Sequence, residues 1–278
     1  MGSKKNLDNC KVGIFGVNYD GTTSFKPGAR FGPNAIRQVS ESLETYCPFL
    51  KKDLDLINYF DAGSINLELN NTESVLKQVN LATTFLIKNN LKPLVLGGEH
   101  SITIGIIEAL VTKYPNLIII QLDAHADLRK SYQNNKYSHA CTISRCLEII
   151  PSQKVFQIGI RSGTKEEFQI MESNNQMIKF NTGDSTINLE KILKEFKEKP
   201  IYLTFDLDWF DPSIMPGTGT PEPGGYFWGD FAAIIDVIKS HNLIGADVVE
   251  LSPKLDNSGI SSILAAKVIR SLIMLLDK

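Results

Sequence analysis

The chain has 278 residues, of which 42% are hydrophobic and 22% charged, and its formal net charge is -2. That balance is ordinary for a soluble globular protein with a sizeable core, and it excludes the basic surplus of a nucleic-acid binder and the charge block of an acidic tail. No apolar run approaches the ~20 residues that span a bilayer. Residues 1–6 lack the apolar centre of a secretory signal. The four cysteines, Cys10, Cys47, Cys141 and Cys146, show no paired spacing. They read as structural thiols, and a reducing cytoplasm is the expected home.

In chain order, strands and helices alternate. Residues 11–17 (KVGIFGV) read as the first strand. A loop rich in Gly and Thr leads to residues 31–34, where Pro33 suits the first turn of a helix. Residues 56–60 give a second strand, 72–90 a helix, 93–96 a third strand, and Ser101 opens the next helix. Strands follow at 117–122 and 155–160, then a helix from about Thr164, a short strand at 177–180 and a helix at 189–197. A buried strand at 201–205, a helix at 231–240, a strand at 244–249 and a closing helix at 258–276 complete the series. Nearly continuous apolar strands between helices predict a parallel sheet covered on both faces. With no internal repeat and no linker, one α/β domain over residues 1–278 is expected.

Ligands of such a sheet collect at the carboxyl ends of its strands. Three stretches there carry chemistry. The central one is QLDAHADL at 121–128, which sets Asp123, His125 and Asp127 at alternate positions straight after a buried strand. Alternate residues of an extended chain share a face, so two carboxylates and an imidazole converge. Upstream, LGGEHS at 96–101 places His100 after another apolar run; downstream, LTFDLDWFDP at 203–212 does the same for Asp206 and Asp208. An Asp after a strand is often only a helix cap or turn former, and Asp211, just before a proline, is read that way. The joint pattern is different. Four carboxylates and two imidazoles exceed what one ion needs, and four clustered acids without cations would repel one another into protonation. Two divalent ions would cancel that charge and lower the pKa of a shared water. An oxygen-rich set with some imidazole suits Mn²⁺ better than structural zinc. His241 has no such company and reads as a surface residue.

Taken together, GGEHS at 97–101, DAHAD at 123–127, Ser138-His139, DLDWFDP at 206–212 with PGTGTPEPGG at 216–225, and DVVELSP at 247–253 resemble the ureohydrolases, the arginase and agmatinase family. The resemblance runs from residues 24–33 to the final helix. It implies a three-layer α/β/α domain around a central parallel sheet, and a dinuclear manganese site, two Mn²⁺ per chain, that hydrolyses a guanidinium group to urea. By motif, His100 and Asp127 would complete one metal site, His125 and Asp208 the other, with Asp123 and Asp206 bridging. His139 would be the mobile proton-shuttling histidine, and Glu250 the carboxylate that holds the guanidinium. The leaving amine would take its proton from Asp127 or, through solvent, from His139.

Three departures stand out. Glu99 replaces the frequent Asp, Ala140 the frequent Gly, and Trp209 is bulky for its place, which suggests packing against the sheet. The run GIRSGT at 159–164 lacks the acid with which arginases hold the amino-acid end of their substrate. The loop at 128–138 looks like the agmatinase form. Agmatine, giving putrescine and urea, is the expected substrate, with 4-guanidinobutyrate as the alternative, its carboxylate held by Arg129 or Lys130. Two other classes are weighed: a non-catalytic ureohydrolase-like protein, which the full set of ligand-type residues disfavours, and a two-metal phosphoesterase, which would want cationic clamps where the motif loops offer acids. No nucleic-acid or membrane partner is expected. The resemblance implies a homo-oligomer, a trimer or hexamer.

Overall fold

The computed structural model describes residues 2–68, 71–178 and 184–278. Eight strands form one sheet: β1 (Val12–Gly16), β4 (Tyr59–Ser64), β5 (Lys92–Leu96), β6 (Ile118–Leu122), β7 (Val155–Ile158), β8 (Met177–Ile178), β9 (Pro200–Asp206) and β10 (Asn242–Val249). Their order is β4-β1-β5-β10-β9-β6-β7-β8, and every pairing is parallel. A separate two-stranded hairpin joins β2 (Tyr46–Cys47) to β3 (Lys52–Asp53).

Alternation along the strands feeds two cores. On β6, Ile118, Ile120 and Leu122 face one side, with residues of α1 (Gly32–Ser40), α6 (Asp184–Glu195), α7 (Trp228–Ile238) and α8 (Ile260–Leu276). Ile119 faces the other, with residues of α2 (Thr72–Lys88), α3 (Thr103–Lys113), α4 (Thr142–Cys146) and α5 (Lys165–Ser173). Helices thus cover both faces, which gives the three layers expected of a fully buried parallel sheet. The helix starts follow local chemistry. Pro33 lies in the first turn of α1, the Asn71 side chain caps Ser74 N–H at 2.8 Å, and Thr164 and Glu167 form a reciprocal capping box on α5.

The structure moves some elements. The strand expected at 56–60 begins at Tyr59, because residues 54–56 are taken into a tight turn in which the Asp53 side chain caps the Asp55 N–H. Leu56 is 85% exposed and packs in no sheet. The strand expected to reach residue 160 ends at Ile158, since Gly159 turns the chain with φ +97° and lies so close to the Trp209 ring that any Cβ would collide with it. Helix α6 starts at Asp184 rather than 189, and α7 at Trp228 rather than 231, where Asp230 accepts from Phe227 N–H. The closing helix starts at Ile260, two residues later than expected. The last two residues of the short strand expected at 177–180 lie outside the described residues.

Candidate metal centre and its cleft

Strands β5, β10, β9 and β6 are the four central neighbours of the sheet, and the loops after them carry His100, Glu250, Asp206 with Asp208, and the Asp123 triplet. The fold therefore brings together every ligand-type residue singled out in the sequence. His100 Nδ1 lies 3.0 Å from Asp123 Oδ2, 3.1 Å from Asp127 Oδ2 and 3.4 Å from Asp206 Oδ2. His125 Nδ1 lies 2.9 Å from Asp208 Oδ2 and 3.6 Å from Asp123 Oδ1. Asp123 thus turns one oxygen to each imidazole. Among the described residues, two groups meet the spacing of a metal site: His100, Asp123 and Asp206, and then Asp123, His125 and Asp208. Asp127 joins the first group through His100, and Asp206 Oδ1 reaches the second group through the Asp208 N–H.

Backbone donors hold the acids in place. His125 N–H donates to Asp123 Oδ1 at 2.6 Å, Ala124 N–H to Asp208 Oδ1 at 3.1 Å, and Asp208 N–H to Asp206 Oδ1 at 2.9 Å. The remaining oxygens point at the imidazoles. His100 Nδ1 is buried and makes no hydrogen bond of acceptable geometry, although three carboxylates stand within 3.4 Å. An imidazole nitrogen ringed by carboxylate oxygens is the arrangement of donors around a cation, so the residues fit a divalent metal.

The electrostatics agree. Burial pushes the Asp206 carboxyl well above the usual range, and repulsion from Asp208 and Asp123 adds to it. Burial, then Asp123, raises Asp127 to about 6. Burial works against charge on both imidazoles, yet Asp208 and Asp123 lift His125 to about 12, and Asp123, Asp127 and Asp206 lift His100 well above its ordinary value. Both shifts have the same cause, a buried cluster of acids that favours positive charge among them.

Two site residues have left-handed backbones, Asp127 at φ 53° and Glu250 at φ 67°. Such strain in non-glycine residues persists only where the surroundings fix it. Here Asp127 C=O accepts from Ser144 N–H, and Glu250 N–H donates to Gly98 C=O at 2.8 Å. Gly98 itself touches Tyr19 C=O so closely that no Cβ would fit. Glu250 Oε1 accepts from His100 N–H at 2.8 Å and lies 4.0 Å from His139 Nδ1. Burial, then Glu99, pushes the Glu250 carboxyl well up. His139 is held by its own N–H, which donates to Thr22 Oγ1; its Nε2 is buried and unpartnered. Burial, then the charges of His125 and His100, lowers its imidazole to about 4. A cleft of about 170 Å³ opens over these groups, lined in part by His125, Asp127, His139, Arg129, Tyr132 and Thr220. A larger cavity, about 410 Å³ and lined by Phe49, Trp228 and Phe231, lies elsewhere and contains none of them.

The departures also find places. Glu99, fully buried, accepts from Thr22 N–H and Oγ1, both at 2.6 Å, and from Ser101, so it fastens the loop that carries His139. Trp209 is buried and stacks on Tyr226 at 4.5 Å between centroids. Asp211 is a turn clamp, accepting from Ser213, Gly224 and Gly225. His241 lies outside the site, on the turn after α7. Arg129 lies over the Tyr132 ring, with Nε 3.9 Å from Glu167, while Lys130 is exposed.

Sequence reasoning missed several supports. Arg161 donates to six carbonyls, those of Gly159, Asp208, Trp209, Phe210, Glu222 and Pro223, and so ties the loop of Asp208 to the PGTGTPEPGG run. Glu222 accepts from Ser162 at 2.8 Å and lies 3.8 Å from His125 Nε2. Thr204 and Asp247 stand behind His100. Thr204 shows in the sequence only as a lone polar residue inside an apolar strand, whereas Asp247 opens the DVVELSP run.

Fold and acid-imidazole cluster define an α/β protein with a candidate metal centre at the carboxyl edge of a parallel sheet. The Arginase family pattern matches residues 10–275, and the chain belongs to that family. Agmatinase from Bacillus cereus is 38% identical over 275 residues, covering 98% of this chain and 94% of the relative. A solved Clostridium difficile structure assigned as an agmatinase superposes with TM-score 0.92 at 42% identity, covering 98% of this chain and 99% of that one. The proclavaminate amidinohydrolase structure from Streptomyces clavuligerus superposes with TM-score 0.87 at 30% identity, covering 99% and 94%.

Proposed function

We propose that the protein is a metal-dependent ureohydrolase that cleaves agmatine to putrescine and urea. The observation that carries this is the pair of acid-imidazole groups that share Asp123, one around His100 and one around His125, with Glu250 and His139 beside them. Agmatinases head its curated relatives, and the run after β7 has Ser162 and no acid next to Arg161, unlike the arginase pattern.

His100, Asp123, Asp127 and Asp206 would hold one Mn²⁺, and Asp123, His125, Asp206 and Asp208 the second. When bound, the cations supply the Lewis acidity that makes a hydrolytic water nucleophilic at neutral pH and steadies the tetrahedral carbon. Glu250, an uncompensated buried acid, accepts paired hydrogen bonds from the planar guanidinium and fixes its orientation. Its strained backbone keeps the carboxylate aimed. Orientation matters because a guanidinium carbon is a poor electrophile and needs its nucleophile close and in line. Asp127 takes one proton from the water and passes it to the departing amine, and His139 relays, through solvent, the second proton that leaves that amine as an ammonium. His139, its imidazole lowered by burial and then by His125 and His100, is free to accept that second proton and release it.

The acid-rich cleft favours a cationic substrate. In Arg129 the other cleft charge already has Glu167 for a partner, which supports agmatine over 4-guanidinobutyrate. Among the described residues no helix is long and apolar enough to cross a membrane. We read residues 1–278 as one working unit, cytoplasmic and assembled as a trimer or hexamer. The test is urea release from manganese-loaded protein offered agmatine, arginine and 4-guanidinobutyrate side by side. Preference for agmatine is expected; preference for 4-guanidinobutyrate would put Arg129 in contact with the substrate, and no urea from any of the three would overturn the proposal.

A further inference from the structure

A row of four polar side chains crosses the buried centre of the sheet, just below the candidate metal centre. Strand register aligns Gln157 with Gln121, Gln121 with Thr204, and Thr204 with Asp247. All four are fully buried. Their strand neighbours Phe156, Ile120, Leu203 and Ala246 face the other core, so the row looks toward the layer of α2 to α5. Buried polar atoms are costly unless paired, so each hydrogen in the row must be accounted for.

The count can be made. Tyr202 Oη donates to Asp247 Oδ2 at 2.7 Å, Thr103 Oγ1 to the same oxygen at 2.9 Å, and Thr204 Oγ1 to Oδ1 at 2.8 Å. A hydroxyl has one hydrogen; burial raises the Asp247 carboxyl, but its three donors oppose that and favour the ionised form, which has none to give. With the Thr204 hydrogen committed to Asp247, Thr204 Oγ1 can only accept from His100 Nε2, 2.8 Å away. Nε2 therefore carries the N–H. The neutral ring then has its lone pair on Nδ1, the atom that faces Asp123, Asp127 and Asp206. At the other end of the row, Gln157 Nε2 donates to Gln121 Oε1, and Gln121 Nε2 to Asp123 Oδ2, both at 2.6 Å. That chain aims a metal-facing acid as the Asp247 chain aims an imidazole.

We propose that Asp247 is a positioning residue: acting through Thr204, it fixes the His100 tautomer that presents Nδ1 to a cation. This rests on the metal site of the proposed function, but not on its substrate. It takes the hydrogen of Thr204, and no neutral isostere can be relied on to do so. In Asp247→Asn the amide can donate to Thr204, whose hydroxyl is then released to donate to Nε2 and drive the proton onto Nδ1.

The experiment measures Mn²⁺ affinity by chelator competition, with no substrate present. Asp247→Asn and Thr204→Val should each weaken the tighter site about 10- to 100-fold. Thr204→Ser, which keeps the oxygen and its hydrogen, should bind within about threefold of wild type, as should Tyr202→Phe, which removes a donor to Asp247 but leaves the Thr204 bond. In ¹⁵N-histidine spectra of the zinc-loaded chain, His100 should show a protonated Nε2. Wild-type affinity in both Asp247→Asn and Thr204→Val would overturn the proposal. So would a Tyr202→Phe loss equal to that of Asp247→Asn, since burial alone would then explain both, or a proton on Nδ1 in the wild type. Should Asp247→Asn fail to fold, the Thr204→Val and Thr204→Ser pair decides. A wild type that binds Mn²⁺ yet releases no urea would count against the substrate and leave these outcomes standing.

Discussion

The His100 group and the His125 group share Asp123, yet one is sealed and the other open. The His100 side chain is 1% exposed, while that of His125 is 24% exposed and lines the cleft. Behind His100 stand Thr204 and Asp247, bonded at 2.8 Å each. Among the described residues, the carboxylate behind His125 is Glu222, 3.8 Å from Nε2 and itself 35% exposed. Two nearly equivalent sets of donors thus have different surroundings: one is built into the sheet, the other into a loop that substrate can reach. Rigid support belongs where a ligand must not turn, and access belongs where chemistry happens.

The largest effect should come from breaking what the groups share. Asp123→Ala removes an oxygen from each, and urea release should fall below about 1% of wild type, with metal content dropping at both sites. Asp206→Ala should also abolish turnover, and the number of ions it retains separates a bridging role from service to the His100 group alone. Near-normal activity in either variant would contradict the shared centre. Next in size, His139→Ala should slow turnover roughly 100-fold while both metals stay bound; metal loss would make His139 a ligand. A smaller effect sharpens the contrast itself. Under a chelator, metal should leave in two phases, the first from the open His125 group, and His125→Ala should abolish that phase alone. A single phase would mean that the two surroundings make no difference.

The smallest is a control on a residue outside both groups. Asp256 accepts from Ser258 N–H and Oγ and from Ser261 N–H at the start of α8. Burial would raise its carboxyl, but these donors outweigh it and hold it at about 2. A carboxyl lowered on folding stabilises the protein above its unfolded pKa and loses that contribution as pH falls through the folded one. Asp256→Ala should cost about 1 kcal/mol near neutral pH. The deficit should shrink between pH about 4 and 2 in thermal unfolding, with metal affinity unchanged.

The metal-facing residues were legible because each follows an apolar run, where a period of two and the end of a strand put it on the rim. What lies beneath them was not. Gln121, Thr204 and Asp247 are single polar residues in apolar strands, and nothing local says that they touch. Only the order β10-β9-β6-β7 and its register align them, and strand order is set by long-range packing. The shift of β4 to Tyr59 had a local cause, the Asp53 cap, which competes with strand formation and is easily missed beside an apolar run. The six carbonyls held by Arg161 come from two loops more than 40 residues distant or from its own turn, so no local pattern marks its role.

The most direct measurement is urea release from agmatine by metal-stripped protein as Mn²⁺ is added in steps. Two cations sharing Asp123 predict almost no turnover at one equivalent per chain and a plateau at two. Full turnover without metal, or a plateau already at one equivalent, would contradict the paired centre.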